Sequence, residues 1–284
     1  MGRKDFFQFK NFHIHQGHAA MKLGTDSDLL GTLAEGGNNI LDIGTGTGVL
    51  SLMLAQRYPD SHITAIEIDE NAIIDAKRNF EESPYADRIY LEHISFQDFA
   101  ARMSHENMQK ASDYHINDSA FHTIKSQVES SLFDSIVCNP PYFDRSLECG
   151  DNTGRTRARH SSSLPFNELV CGAYSLLKEE GIFSVCIPPE VLSKFNAECL
   201  LAGFCIKTVY AVKSLPGKAP KRYIIRYKKG SFVPKEEYTY CMRNSDHTIS
   251  EWYKDLMDDF HCHPDKYKIK VKERICSEFT NNSR

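Results

Sequence analysis

Short apolar runs alternate along this chain with longer stretches that are apolar on one face only. Asn39–Ile43 (NILDI) reads as a buried strand, and Val49–Arg57 (VLSLMLAQR) as an apolar-faced helix. His62–Glu67 (HITAIE) is a second strand, followed by a helix over Asp69–Glu82 with Asp69 placed to cap it. Ile89–Ile94 and Leu132–Cys138 read as the third and fourth strands, Phe166–Leu177 as a helix, Gly181–Ile187 as the fifth strand and Glu190–Leu201 as the helix after it. Gly203–Val212 and Tyr223–Tyr227 complete the sheet as an antiparallel pair. Strands alternating with helices in this way predict βαβ units: an α/β fold with a mostly parallel sheet and helices on both faces.

Two segments stand outside this pattern. Ala100–Ser131 is polar and longer than most connections in such folds, so it reads as an insertion between the third and fourth strands. The tail over residues 264–284 is Lys-rich and polar. We therefore expect one domain over residues 1–263, with a distinct N-terminal segment over 6–35, the insertion over 100–131, and the tail. The 284 residues are 41% hydrophobic, enough for a sizeable core. Nine cysteines without a C-x-x-C pair read as reduced thiols of a cytoplasmic protein. No apolar run suits a membrane span, and MGRKDFFQFKNFHIHQ lacks the continuous apolar stretch of a signal peptide.

The first candidate chemistry is LDIGTGTG, Leu41–Gly48, between a strand and a helix. Gly44, Gly46 and Gly48 allow a tight turn and close approach of a ligand to the backbone. The spacing is G-x-G-x-G, not the dinucleotide G-x-G-x-x-G, although the loop alone would also suit a dinucleotide or a structural turn. Asp42 before the loop would repel a pyrophosphate and attract a cation. S-adenosylmethionine carries both an ammonium and a sulfonium, and is the expected cofactor. Glu67 closes the second strand, where a carboxylate can accept from both ribose hydroxyls of an adenosine. The cofactor adenine should lie beyond the third strand. Ser95 occupies the position where an acid is expected and Asp98 follows one turn later, and the sequence leaves open which of them faces the adenine.

The second is Asn139-Pro140-Pro141-Tyr142, directly after the fourth strand. An aryl amine is a poor nucleophile because its lone pair is delocalised into the ring. Two acceptors on its N–H groups, the Asn139 side-chain oxygen and the Pro140 carbonyl, would tilt the nitrogen toward tetrahedral geometry. The prolines stiffen the turn, so both acceptors are placed in advance. Tyr142 offers a ring face on which a flipped-out base can stack. The reaction class this predicts is methylation of an exocyclic amine.

With these residues in hand, the chain resembles the bacterial tRNA1(Val) adenine-37 N6-methyltransferases, a branch of the Rossmann-like class I methyltransferases. The resemblance spans roughly residues 6 to 263. It rests on FQFKNFHIHQGHAAMKLGTDSDLLG (Phe7–Gly31), on LDIGTGTGVLSLMLAQR with AIEID, and on NPPYFDRSLECGDNTGRTRARHSSSL. It implies a seven-stranded sheet of order 3-2-1-4-5-7-6, numbered in chain order. It also implies cofactor binding by Asp42, Gly44, Gly46 and Glu67, catalysis by Asn139–Tyr142, and a Thr25-Asp26 pair closing over the cofactor. Thr25 also reads as a helix N-cap, with Asp28 three residues on. The long insertion, Ser95 and the Lys-rich tail depart from the family pattern.

The substrate this implies is tRNA, at adenosine 37 of tRNA1(Val). The alternative is glutamine methylation on release factors, which poses the same problem of a delocalised nitrogen. A net charge of −4 does not itself suggest nucleic acid, but the basic residues are clustered. Arg155, Arg157 and Arg159 follow the N-P-P-Y motif and are expected to meet RNA. Lys207–Lys229 holds eight Lys or Arg and no acid, and Lys266, Lys268, Lys270, Lys272 and Arg274 mark the tail. His261-Cys262-His263 lacks the spacing of a closed zinc set, and His13, His15 and His18 read as surface or loop residues, so no metal is expected. The pattern does not fix the oligomeric state.

Overall fold

The computed structural model describes residues 5–112, 132–140 and 164–261. A small hairpin, β1 (Phe6–Gln8) and β2 (His13–His15), precedes α1 (Thr25–Leu33). Three strand–helix units follow: β3 (Asn39–Ile43) with α2 (Val49–Arg57), β4 (His62–Glu67) with α3 (Glu70–Glu81), and β5 (Ile89–His93) with α4 (Phe96–Ser112). Then come β6 (Phe133–Cys138), α5 (Phe166–Leu176), β7 (Leu177–Ile187), α6 (Pro189–Leu201), β8 (Cys205–Lys213), β9 (Pro220–Lys228), β10 (Glu236–Cys241) and α7 (Glu251–Met257).

One sheet runs β10-β8-β9-β7-β6-β3-β4-β5. The pairs from β7 through β5 are parallel, β9 is antiparallel to both its neighbours, and β10 is parallel to β8. The central strands read as nearly continuous apolar runs because both faces are covered. In β3, Leu41 and Ile43 join one core cluster while Ile40 joins another; in β6, Ile136 and Cys138 pack on one side and Val137 on the other. Residues of α4, α5 and α6 fill the first cluster, those of α1 and α2 the second, and the hairpin packs with α2 and α3 in a third. Among the described residues, no helix is long and apolar enough to cross a membrane.

Several expectations need correction. The sheet has eight strands, not seven. β10 (EEYTYC) is mostly exposed at the sheet edge, so it never shows the apolar run that marks an inner strand. Strand β7 begins at Leu177, with an irregularity in its pairing to β6 before Ile182, so its first residues look like the end of a helix. The polar stretch after Ala100 is helical as far as Ser112, continuing α4, and residues 113–131 lie outside the described residues. Helix α1 is capped by Gly24 without a side-chain bond, so Thr25 is its first helical residue rather than its cap. Asp28 does not complete a capping box: it is buried and accepts from the Tyr253 hydroxyl at 3.0 Å. Asp69 does cap α3, accepting from the Asn71 N–H at 2.8 Å.

Candidate active site

Strands β3, β4 and β5 lie on one side of the sheet, and β6 and β7 on the other, so the chain reverses its direction of progress between β3 and β6. A crevice opens at such a switch point, beyond the carboxyl ends of the parallel strands. The register places Ile43 opposite Cys138. The residues that follow them, Gly44 and Asn139, therefore enter the crevice from its two sides.

Gly44, Gly46 and Gly48 all have positive φ, at 68°, 58° and 83°. At Gly46 a Cβ would meet nothing within 4 Å, so the loop faces open space there; at Gly48 it would stand 2.4 Å from the Phe80 ring. Gly46 thus leaves room for a ligand, while Gly48 lets α2 start tight against α3. The loop is tied to β4: the Gly44 and Thr45 N–H groups donate to the Ile66 carbonyl at 3.0 Å.

Both expected carboxylates sit at this loop. Asp42 is fully buried, and its Oδ2 accepts from Thr45 Oγ1 and Ser51 Oγ, each at 2.7 Å. Its other oxygen, Oδ1, is buried with no hydrogen-bond partner among the described residues. Burial pushes its pKa up to about 6, against the lowering effect of the two hydroxyls, with the nearby Glu67 charge adding to the rise. A buried acceptor left open beside a loop with room in front suits a cationic donor, as the ammonium of S-adenosylmethionine would be. Glu67 is more engaged than its strand-end position suggests. Its Oε2 accepts from the Gly46 N–H at 2.8 Å, and its Oε1 from the N–H groups of Ile68 and Asp69 at 2.8 and 2.9 Å.

Ser95 and Asp98 prove to be one unit. Ser95 Oγ donates to Asp98 Oδ2 at 2.6 Å and accepts from the Asp98 N–H at 3.0 Å, which ties off the first turn of α4. Asp26, expected over the cofactor, is held by Arg222 of β9, whose Nε lies 2.8 Å from both carboxylate oxygens. Asn139 is half-buried and Pro140 buried at the end of β6. Cys138 just before them is no nucleophile, because burial first and then the Asp42 and Glu67 charges push its thiol up. Pro141, Tyr142, Arg155, Arg157, Arg159 and the Lys-rich tail lie outside the described residues.

Part of the basic stretch over Lys207–Lys229 is neutralised by pairing. Lys207 pairs with Glu35 at 2.7 Å, Arg222 with Asp26, Lys228 with Glu180, and Lys229 with Glu179 at 3.5 Å; Arg226 donates to the Leu33 carbonyl at 2.7 Å. Lys213, Lys218 and Lys221 carry no ion pair among the described residues. They flank the β8–β9 turn, and because β8 runs parallel to β7 this turn lies at the same sheet edge as the glycine loop.

Sequence reasoning missed Thr45 and Ser51, which hold Asp42, and Asn79, whose Nδ2 donates to the Thr47 carbonyl at 2.8 Å behind the loop. It also missed Ile68, which is 48% exposed next to Glu67. An apolar residue between two acids at a strand end was the available signal. His13 and His15 are not loop residues: they lie on β2 and meet Glu82. A cavity of about 380 Å³ between α3 and β5, lined by Ile73, Phe80, Leu91 and His93 among others, contains none of the expected site residues.

Residues 17–104 match the family model described as the methyltransferase small domain. A Bacteroides thetaiotaomicron protein named tRNA1(Val) (adenine(37)-N6)-methyltransferase is 38% identical over 91% of this chain and 98% of its own length. A Shewanella sediminis protein of the same name is 32% identical over 90% of this chain and 98% of its own. Among solved structures, one titled a predicted O-methyltransferase from Agrobacterium tumefaciens superimposes with a TM-score of 0.58 at 17% identity, covering 84% of this chain and 98% of that one; it speaks to the fold alone.

Proposed function

The chain belongs to the tRNA1(Val) (adenine(37)-N6)-methyltransferase family, and from that premise we propose that it methylates N6 of an adenosine in tRNA, position 37 of tRNA1(Val) being the target its relatives are named for. The observation that carries the reading is the crevice itself. A buried carboxylate oxygen without a partner and an open glycine loop stand on one side, and Asn139-Pro140 on the other.

S-adenosylmethionine supplies an electrophilic methyl group on a sulfonium. Asp42 would meet its ammonium, Gly44, Gly46 and Gly48 would give it room, and Glu67 would face its ribose. Ile68 would offer an apolar face to the adenine, and the bonded Ser95–Asp98 pair would close that end. Thr25 and Asp26 stand at the start of α1, with Asp26 fixed by Arg222. On the acceptor side, the Asn139 oxygen and the Pro140 carbonyl accept from the target amine and localise its lone pair. Tyr142 stacks on the flipped base and Pro141 stiffens the turn. No strong base is needed, because the proton leaves after the methyl group has moved; the main demand is alignment.

Arg155, Arg157 and Arg159, with Lys213, Lys218 and Lys221 at the crevice edge, hold the phosphate backbone. We place the protein in the cytoplasm, with its tRNA, as one methyltransferase domain over residues 1–263 followed by the tail. The test is to incubate it with labelled S-adenosylmethionine and either unmodified tRNA1(Val) or release factor, then digest and identify the product. We expect N6-methyladenosine at position 37. Label on release-factor glutamine, or on another tRNA position, would overturn the assignment.

A further inference from the structure

We propose that His13, His15 and Glu82 bind one divalent transition-metal ion of the zinc class, which clips the N-terminal hairpin to the end of α3. In the strand His13-Ile14-His15, side chains alternate, so both imidazoles share one face while Ile14 is buried in the core on the other. Glu82, the C-cap of α3, meets them. His13 Nε2 is 2.7 Å and His15 Nε2 is 3.0 Å from the same oxygen, Glu82 Oε2, and all three candidate ligand atoms lie within 4.8 Å of one another.

Zinc bonds to imidazole nitrogen and carboxylate oxygen of about 2.1 Å place neighbouring ligand atoms about 3.0–3.4 Å apart, so the two imidazole–carboxylate distances have to open by only a few tenths of an ångström, and the two imidazole nitrogens, within 4.8 Å of each other, have to settle to the same spacing. Two imidazoles and one carboxylate form a donor set that suits zinc, cobalt, nickel or copper, whereas calcium and magnesium prefer all-oxygen sets.

The surroundings fix the donors. The Phe6 ring stacks on His13 at 5.3 Å and meets His15 edge-on at 5.3 Å, forming a wall behind both. Arg78 Nε donates to Glu82 Oε1 at 2.8 Å, which turns Oε2 toward the imidazoles. Ligating carboxylates are commonly held by such an outer partner. To ligate, each ring has to present a proton-free Nε2, that is its Nδ1–H tautomer, so the metal takes the place of the two contacts now made to Glu82 Oε2. The Arg78 charge opposes a cation, so the affinity should be micromolar, not nanomolar.

The clip has a target. The His15 N–H donates to Asn79 Oδ1 at 2.7 Å, and Asn79 Nδ2 donates to the carbonyls of His15 and Thr47, each at 2.8 Å. The strand the metal would pin is thus bonded through one side chain to the glycine loop.

The test uses the full chain stripped of metal with a chelator, then titrated with cobalt(II) chloride while visible absorption is followed. We expect one equivalent to bind without a sulfur-to-cobalt charge-transfer band, which would instead mark a cysteine site. Zinc chloride should displace the cobalt and raise the melting midpoint by several degrees, a shift set by ligand linkage. In His13→Gln/His15→Gln the affinity should fall at least tenfold and the melting shift should vanish. Glu82→Gln, which keeps the hydrogen-bonding shape, repeats the test should the double variant fold poorly. No saturable binding, a sulfur band, or affinity unchanged in Glu82→Gln would overturn the proposal.

Discussion

The two sides of the crevice are built by different means. On the β3–β4 side, the glycine loop, Asp42 and Glu67 are bound to one another by short-range bonds: Glu67 takes three backbone N–H groups, and Asp42 takes two hydroxyls from its own loop and helix. On the β6–β9 side, Asn139 and Pro140 end one strand while Lys213, Lys218 and Lys221 flank a turn between two others, brought to the same edge by sheet topology alone. On the proposed reading the first side is a preorganised cradle for one small ligand. The second is an open edge suited to a large one. If that division holds, substitutions on the two sides should separate cofactor binding from transfer and from RNA binding.

The largest expected effect is on transfer. Asn139→Ala should slow single-turnover methylation of tRNA by about 10²–10³-fold, as does the loss of one preorganised partner of a transition state. Methylation at the normal rate would remove Asn139 from the mechanism.

Next is the cradle. Asp42→Asn should weaken S-adenosylmethionine binding by about 10–100-fold, since a hydrogen bond to a charged partner contributes about 1.5–3 kcal/mol. Because burial raises the Asp42 pKa from 3.8 to about 6, affinity in the unsubstituted chain should fall as pH drops below about 6, where the carboxylate that meets the ammonium takes up a proton. The sign for the free chain is the reverse. The folded state holds this proton more tightly than the unfolded one, so the contribution of Asp42 to stability falls as pH rises from 3.8 to about 6. Calorimetry across pH 5–8 should find the affinity slope in the unsubstituted chain and a flat line in Asp42→Asn; equal slopes would place the titrating group elsewhere.

Stacking comes third. Tyr142→Ala should raise the KM for tRNA, base stacking being worth on the order of 1–3 kcal/mol, while Tyr142→Phe keeps the ring and should stay near the unsubstituted value. Equal damage from both would assign the role to the hydroxyl.

The smallest effect sharpens the comparison within the basic stretch. Alanine at Lys213, Lys218 and Lys221 should lower the salt slope of tRNA binding by about one unit for each phosphate no longer neutralised. Alanine at Lys207, Lys228 and Lys229, whose charges already face Glu35, Glu180 and Glu179, should leave that slope unchanged and affect stability only. A slope that changes in the second set would mean that these pairs open to meet RNA.

The same division decides what could be read in advance. Strands β3, β4, β6 and the second half of β7 were legible because both their faces are largely buried and their apolar runs are bounded by glycines and acids, whereas β5, β8 and β9, only partly buried, were legible from shorter apolar runs. The loop residues were legible because the turn, the close approach and the carboxylates lie within a few positions of one another. β10 was not, since an edge strand carrying Glu236 and Glu237 needs no apolar run; it is marked only by Tyr238 and Tyr240, which stack in the ladder from Tyr210 to Trp252. The β1–β2 hairpin was hidden by three-residue strands. The basic stretch was legible as charge but not as pairing, because Asp26, Glu35, Glu179 and Glu180 come from other parts of the chain. For the same reason the sequence suggested Asp42 and Glu67 but not the bonds that occupy them.

The division between the two sides is tested most directly by titrating S-adenosylhomocysteine into Asp42→Ala and Asn139→Ala side by side with the unsubstituted chain. We expect Asn139→Ala to bind it with unchanged affinity and Asp42→Ala to bind it at least tenfold more weakly. Cofactor affinity lost in Asn139→Ala, or retained in Asp42→Ala, would contradict the assignment of cradle and acceptor to opposite sides of the crevice.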